Sequence, residues 1–164
     1  MPRRYFVLRC LNFMALAFLL AGCGGGDKRH PVYPASGKVV FTDGKPLWEG
    51  VVEFQPVEPK GLNTMPSATA TIGQDGTFKL NTYSHDEPDG AVAGEHRVIV
   101  RGPEPPAPDM PGDPMEPPYL EPKYRNFETS GLKFTVSEDE TKNNFTIEVE
   151  MPEARKKMPN SGKK

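Results

Sequence analysis

Apolar and polar residues alternate with a period of two along most of the chain from Tyr33 onward. Successive side chains of an extended strand point to opposite faces, so this alternation predicts strands that bury one face and expose the other. Seven such segments are predicted, with inward positions at Val39 and Phe41; Val52 and Phe54; Ala68, Ala70 and Ile72; Phe78 and Leu80; His96, Val98 and Val100; Leu132, Phe134 and Val136; and Phe145, Ile147 and Val149.

Turn-forming residues separate these segments. Asp43-Gly44 and Asp75-Gly76 tolerate the positive φ of tight hairpins. The 19 prolines and 16 glycines among 164 residues disfavour long helices, and no amphipathic helical pattern follows the first two dozen residues. We therefore expect an all-β fold, a seven-stranded antiparallel Ig-like sandwich formed by one domain over residues 33–150.

Four runs carry a resemblance to a known family: YPASGKVVFTDGKPLWEGVVEFQP, ATATIGQDGTFKLNT, DGAVAGEHRVIV and EPKYRNFETSGLKFTVSEDETKNNFTIEVE. Together they resemble the carboxypeptidase regulatory-like, or prealbumin (transthyretin)-like, domain of exported lipoproteins from planctomycete-type bacteria. The resemblance implies seven antiparallel strands and a role in binding or structural support, without a catalytic signature. His96 departs from the pattern, because members of this type usually have Tyr or Phe there.

The N-terminal residues have the pattern of a lipoprotein signal. Three arginines precede an apolar run over residues 11–21, which is too short to span a bilayer because spanning needs about 20 residues. The run ends in Leu20-Ala21-Gly22-Cys23, which resembles the lipobox of bacterial lipoproteins. This predicts a signal peptide over residues 1–22, lipidation of Cys23 and a flexible tether over residues 23–32. The alternative is an ordinary secretory cleavage site that leaves a free thiol.

Lipidation of Cys23 implies export to the bacterial cell envelope and attachment to a membrane. Cys10 would leave with the signal peptide, so the mature chain would have one cysteine and no internal disulfide. Gly24, rather than Asp, follows the modified cysteine, which favours the outer membrane. The mature chain would have 17 Lys and Arg against 22 Asp and Glu, and this net charge of −5 argues against a nucleic-acid partner.

Two segments lie outside the strand pattern. Residues 103–122 contain nine prolines and predict a Pro-rich loop, either a rigid spacer or a recognition loop. Residues 151–164 carry five basic residues and one Glu, which predicts a disordered basic tail. Four aromatic residues are candidate ligand contacts, namely Trp48, Tyr83, Tyr119 and Tyr124.

No catalytic or metal-binding constellation and no cofactor are predicted. Ser84-His85-Asp86 has the residue types of a hydrolytic triad, but side chains of adjacent residues cannot form the nested hydrogen bonds of a triad. The acidic loop over residues 85–89 matches neither a zinc signature nor a calcium loop. Tyr124-Arg125 lies mid-chain, so the terminal signature of the hydroxyisourate hydrolases, which have a related fold, is missing.

The sequence leaves three functional hypotheses. The favoured one is a non-enzymatic, membrane-anchored envelope lipoprotein whose β-sandwich is a structural or protein-interaction module, binding through strand edges or the Pro-rich loop. The alternative is a carbohydrate-binding or adhesion module, which requires exposed aromatic residues gathered into one platform. A hydrolase or metal enzyme would require His85 and His96 to converge with carboxylates in a cleft.

Overall fold

A computed structural model describes residues 29–57, 65–84, 86–108, 110–111 and 114–158 of the chain. The predicted signal peptide, Cys23 and the tether up to residue 28 lie outside the described residues, and so do His85 and residues 159–164. Within the part of the chain that is described, no helix is long and apolar enough to cross a membrane.

The described residues form an all-β fold, as the alternation predicts. The described part of the chain contains nine strands: β1 (Val32–Tyr33), β2 (Ser36–Phe41), β3 (Gly50–Pro56), β4 (Ala68–Ile72), β5 (Thr77–Lys79), β6 (Ala91–Val92), β7 (Gly94–Arg101), β8 (Leu132–Val136) and β9 (Asn144–Val149). Helical structure within the described residues consists of two 3₁₀ turns, Pro122–Arg125 and Glu140–Lys142, and one α-helical turn, α1 (Glu153–Lys156).

Three sheets contain these strands, with the orders β1-β6, β5-β2-β9 and β4-β3-β7-β8. Each of the seven predicted segments corresponds to one of the longer strands, and β1 and β6 add a pair of two-residue strands that the pattern did not indicate. The alternation is visible in β9, where Phe145, Ile147 and Val149 are buried while Thr146 and Glu148 are exposed.

The expectation of a purely antiparallel fold is wrong for one pair of strands. β2 runs parallel to β9, with Ser36 opposite Asn144 and Phe41 opposite Val149. The other pairings between strands are antiparallel. A period of two reveals which side chains share a face but carries no information on the direction of the neighbouring strand.

The two predicted hairpin glycines have the backbone conformation that the turns require. Gly44 and Gly76 both have a φ of +83°, in the left-handed region that glycine adopts without steric cost. In each turn the preceding aspartate accepts a backbone hydrogen bond, Asp43 from Lys45 at 3.1 Å and Asp75 from Thr77 at 3.0 Å. The second turn carries the chain from the four-stranded to the three-stranded sheet.

A cluster of aromatic rings joins the inward faces of the two larger sheets. Phe54 of β3 is fully buried, and its ring centre lies 5.7 to 6.2 Å from those of Phe78, His96, Phe134 and Phe145. Phe78 and Phe145 belong to the three-stranded sheet, so these contacts cross from one sheet to the other. Rings at this separation add to the hydrophobic gain of burying them.

His96 is the polar member of this cluster. Its side chain is fully buried, and Nδ1 lies 3.0 Å from the carbonyl oxygen of Gly94. Nε2 has no hydrogen-bond partner among the described residues. Burial lowers the pKa of His96 below its usual value, because a charged imidazolium would lose its hydration in this apolar setting.

Stability is expected to fall in mild acid because of His96. Between pH 6.5 and the lowered pKa of the folded state, His96 is protonated in the unfolded chain but neutral in the folded chain. The free energy of unfolding falls by about 1.4 kcal/mol for each unit between the pKa of His96 in the unfolded chain and its pKa in the folded chain. The free energy of unfolding, measured from pH 7.5 to pH 5, should therefore fall less steeply in His96→Phe than in the original chain.

One comparison tests the assignment of this effect to His96. Equal slopes for His96→Phe and the original chain would refute the assignment, whatever the two proteins' absolute stabilities.

Candidate functional site

A surface groove of about 460 Å³ lies at the end of the domain where β2 and β9 finish. Three segments that are distant in sequence form it: the turn after β2, the end of the Pro-rich segment, and the chain after β9. Its lining residues are Phe41, Asp43, Lys45, Pro46, Trp48, Glu116, Tyr119, Met151, Arg155 and Met158.

Trp48 and Tyr119 are the aromatic surface of the groove. Trp48 is 39% exposed, and it packs on Phe41 with ring centres 6.2 Å apart. Tyr119 meets Trp48 edge-on, with ring centres at 5.2 Å and an angle of 89° between the planes. This T-shaped arrangement is favourable because the positive edge of one ring faces the negative face of the other.

Arg155 fixes the Pro-rich segment to this end of the domain. Its guanidinium carbon lies 3.3 Å from the centre of the Tyr119 ring, and Nη1 donates to the carbonyl oxygen of Pro117 at 2.5 Å. Nη1 and Nη2 both reach Oε2 of Glu116 at 3.3 Å. The Arg155 side chain is only 13% exposed, so these charge-assisted contacts are shielded from water.

The predicted basic tail differs from the expectation over residues 151–158. Pro152 is buried and begins a helical turn, in which the backbone N–H of Arg155 donates to the Pro152 carbonyl at 2.9 Å. The turn aims Arg155 at Tyr119. A run of basic residues gives no signal that one of them stacks on a ring 36 positions earlier, so the sequence interpretation missed Arg155 and Glu116.

The charged groups of the groove are paired with one another. The Lys45 ammonium lies 2.9 Å from Oδ2 of Asp43, and Arg155 pairs with Glu116. The hydrogen bond from Lys45 lowers the pKa of Asp43, and the same bond raises the pKa of Lys45. Two acids and two bases thus line a groove without excess charge.

The four candidate contact residues do not form one platform. Trp48 and Tyr119 meet in the groove, whereas Tyr124 is buried in the core with 5% exposure. The prediction that Tyr124 is an accessible contact is therefore wrong. Pro122 starts a 3₁₀ turn that carries Tyr124 inward, a local change of direction that composition alone does not indicate.

Tyr83 lies at the opposite end, where the chain enters the domain. The His30 backbone N–H donates to the Tyr83 hydroxyl at 3.1 Å, and the Arg29 guanidinium lies 5.3 Å from the ring centre. The Asp89 carboxylate accepts backbone hydrogen bonds from residues 82–84 at 2.6 to 3.1 Å and holds this loop. Tyr83 therefore secures the chain next to the tether.

The residues with catalytic potential have structural partners in the described part of the chain. The Ser84 hydroxyl oxygen accepts backbone hydrogen bonds from Asp86 at 3.3 Å and Glu87 at 3.2 Å, as in a turn cap. His85 lies outside the described residues. Among those described, no three His, Cys, Asp or Glu side chains are grouped closely enough to hold a metal ion.

Comparisons of the chain with protein-family models, with curated proteins and with solved structures find no match. The family resemblance and the lipidation of Cys23, which lies outside the described residues, therefore remain predictions from the sequence.

Replacing Arg155 should open the groove. Arg155→Ala removes the stacking on Tyr119 and two partly buried polar contacts, so the free energy of unfolding should fall by about 1–3 kcal/mol. Emission from Trp48, the single tryptophan of the chain, should shift to the red as its surroundings become wetter. Urea unfolding followed by fluorescence measures both effects.

The matched control is Lys157→Ala, which removes an exposed cation next to α1 and should leave stability and emission unchanged. Arg155→Lys should fall between the two, because lysine keeps the charge but lacks the planar donor fork. If Arg155→Ala behaved like Lys157→Ala, the groove would not depend on Arg155.

Proposed function

We propose that this chain is a lipid-anchored binding module of the bacterial cell envelope rather than an enzyme. Cys23 is its lipidation site, residues 23–32 are its tether, and residues 33–150 form a β-sandwich of the carboxypeptidase regulatory-like kind. The lipobox-like Leu20-Ala21-Gly22-Cys23 and the apolar run before it support the anchor. The two larger sheets, whose inward aromatic side chains face each other, are compatible with a sandwich.

One observation carries the proposal of a binding role: the groove lies at the opposite end of the domain from Arg29 and His30, where the described chain begins. β2 begins at Ser36, close to where the chain enters, and ends at Phe41, whose ring packs on Trp48. Six residues of strand span about 20 Å. A domain attached through Cys23 would therefore have its groove at the end remote from the point of attachment.

The length of the tether sets how far the domain can reach. Arg29 and His30 contact Tyr83 of the domain, so the reach is set by the six residues from Cys23 to Lys28, which span at most about 20 Å when fully extended. Three consecutive glycines within this segment favour flexibility. The domain would sample many orientations close to the membrane, with its groove free to meet partners in the envelope.

The groove is a better contact surface than the sheet edges. β8 and β9 are the edge strands on one side of the domain, with five and six residues. Both carry exposed charged residues, Lys133 in β8 and Glu148 in β9. The other two edge strands are β5, which has three residues, and β4, whose Thr69 already exchanges backbone hydrogen bonds with Asn81. Edges that are short, charged or already paired disfavour the addition of a further strand, so we assign binding to the groove.

Lipidation at Cys23 is the first expectation to test. In a bacterial host that processes lipoproteins, the intact mass of the membrane-extracted chain should equal residues 23–164 plus two or three acyl chains. Cys23→Ala should lose the acyl mass, whether or not residues 1–22 remain attached.

Cys10→Ala is the matched control, because Cys10 lies within the predicted signal peptide and should leave with it. This variant should have the same mature mass as the original chain and the same membrane association. An unmodified mature form of the original chain, released as soluble protein, would refute the anchor.

A further inference from the structure

We infer that the groove beside Trp48 binds a neutral glycan. The inference deepens the proposed function and rests on it in one respect, since only an exported domain would meet the polysaccharides of the envelope. It uses two features of the groove: an exposed aromatic surface, and charged groups that already compensate one another.

The aromatic surface suits a ring that is apolar on one face and polar around its edge. Trp48 is 39% exposed while the rings on either side of it, Phe41 and Tyr119, are buried or partly buried. Their contacts at 6.2 and 5.2 Å restrict the indole to one orientation. A pyranose ring stacks its C–H face on such an indole and keeps its hydroxyl groups in reach of neighbouring polar side chains.

The polar neighbours supply both donors and acceptors for hydroxyl groups. Carboxylate oxygens of Asp43 and Glu116 accept hydrogen bonds, and the Lys45 ammonium donates them. All three side chains line the same groove as Trp48. Its volume of about 460 Å³ lies within the usual range of small-ligand sites.

The pairing of charges favours a neutral sugar over an acidic one. Lys45 is occupied by Asp43 at 2.9 Å, and Arg155 by Glu116 and the Tyr119 ring. An anionic sugar would meet one carboxylate for each cation of the groove, and it would have to draw Arg155, which is only 13% exposed, away from Glu116. A neutral sugar can hydrogen-bond to both pairs without separating them.

A proline-rich peptide is the competing occupant, because prolines also pack on Trp and Tyr side chains. The groove already receives such a segment from its own chain, since Pro117 and Tyr119 are held there by Arg155. Of the two rings, Trp48 is the more exposed, because Tyr119 is partly covered by Arg155. One ring flanked by charged pairs suits a sugar better than the repeated prolines of an extended peptide.

Trp48 provides a direct probe, because it is the single tryptophan in the chain. The mature lipoprotein in detergent micelles is titrated with β-1,4-linked tetramers of glucose and of N-acetylglucosamine, and with an α-1,4-linked tetramer of glucose. At least one should change the emission of Trp48 saturably, with half-saturation at or below about 1 mM. The tetramer of galacturonic acid should have no saturable effect.

Variants decide whether the signal comes from this groove. Calorimetry should find affinity about tenfold lower or worse for Trp48→Ala, with part of it restored in Trp48→Phe, which keeps an aromatic face. Tyr83→Ala removes a partly exposed aromatic residue at the opposite end and should keep the original affinity. Circular dichroism of each variant reports whether it has folded.

Three results would overturn the inference. The first is the absence of binding for every neutral tetramer at millimolar concentration, and the second is unchanged affinity in folded Trp48→Ala. The third is a saturable response of Trp48 to a synthetic peptide of residues 103–111 but not to any glycan. Acylation of Cys23 is measured separately by mass, so a groove that fails to bind sugars would leave the anchor intact, and the reverse also holds.

Discussion

The parallel pairing of β2 with β9 determines what lies at each end of this domain. Six consecutive residue pairs, from Ser36 with Asn144 to Phe41 with Val149, hold the two strands side by side in the same direction. The start of β2 follows the segment next to the tether, so the end of β9 must emerge at the far end. The C-terminal turn with Arg155 is thereby delivered to Trp48, and an antiparallel β9 would have carried it to the tether instead.

Each end of the domain is then stabilised by a charged group with several short-range partners. At the end next to the tether, the carboxylate of Asp89 accepts hydrogen bonds from the backbone N–H groups of residues 82–84. At the groove end, the guanidinium of Arg155 gathers the Pro-rich segment through Pro117 and Tyr119. Neither group belongs to the sheets. The sheets set the distance between the ends, and these two side chains give the loops at each end a defined shape.

The alternation of residues was sufficient for the class of the fold and for most of its buried strand positions, because burial of one face is a local property of a strand. The hairpin glycines Gly44 and Gly76 were equally readable, since positive φ restricts the residue type. Three features could not be predicted from the sequence: the direction of β9, the burial of Tyr124 and the role of Arg155. Each of these three features depends on a contact with a distant segment of the chain. The local pattern of residues around them does not identify that segment.

The same distinction explains why the groove could be only half anticipated. Trp48 and Tyr119 were recognisable as aromatic residues outside the buried pattern. They are 71 positions apart, however, and they meet only because the Pro-rich segment that carries Tyr119 crosses the end of the sheet beside Trp48. Proline disfavours both helix and central strand, so such a segment can only lie along a surface. The ion pair between Glu116 of this segment and Arg155 then determines where the segment lies, because a partly buried guanidinium needs a carboxylate or carbonyl partner. The groove is thus a consequence of fastening an irregular segment to a regular domain: Arg155 and Glu116 balance each other because they fasten that segment, and Asp43 and Lys45 balance each other within the turn after β2.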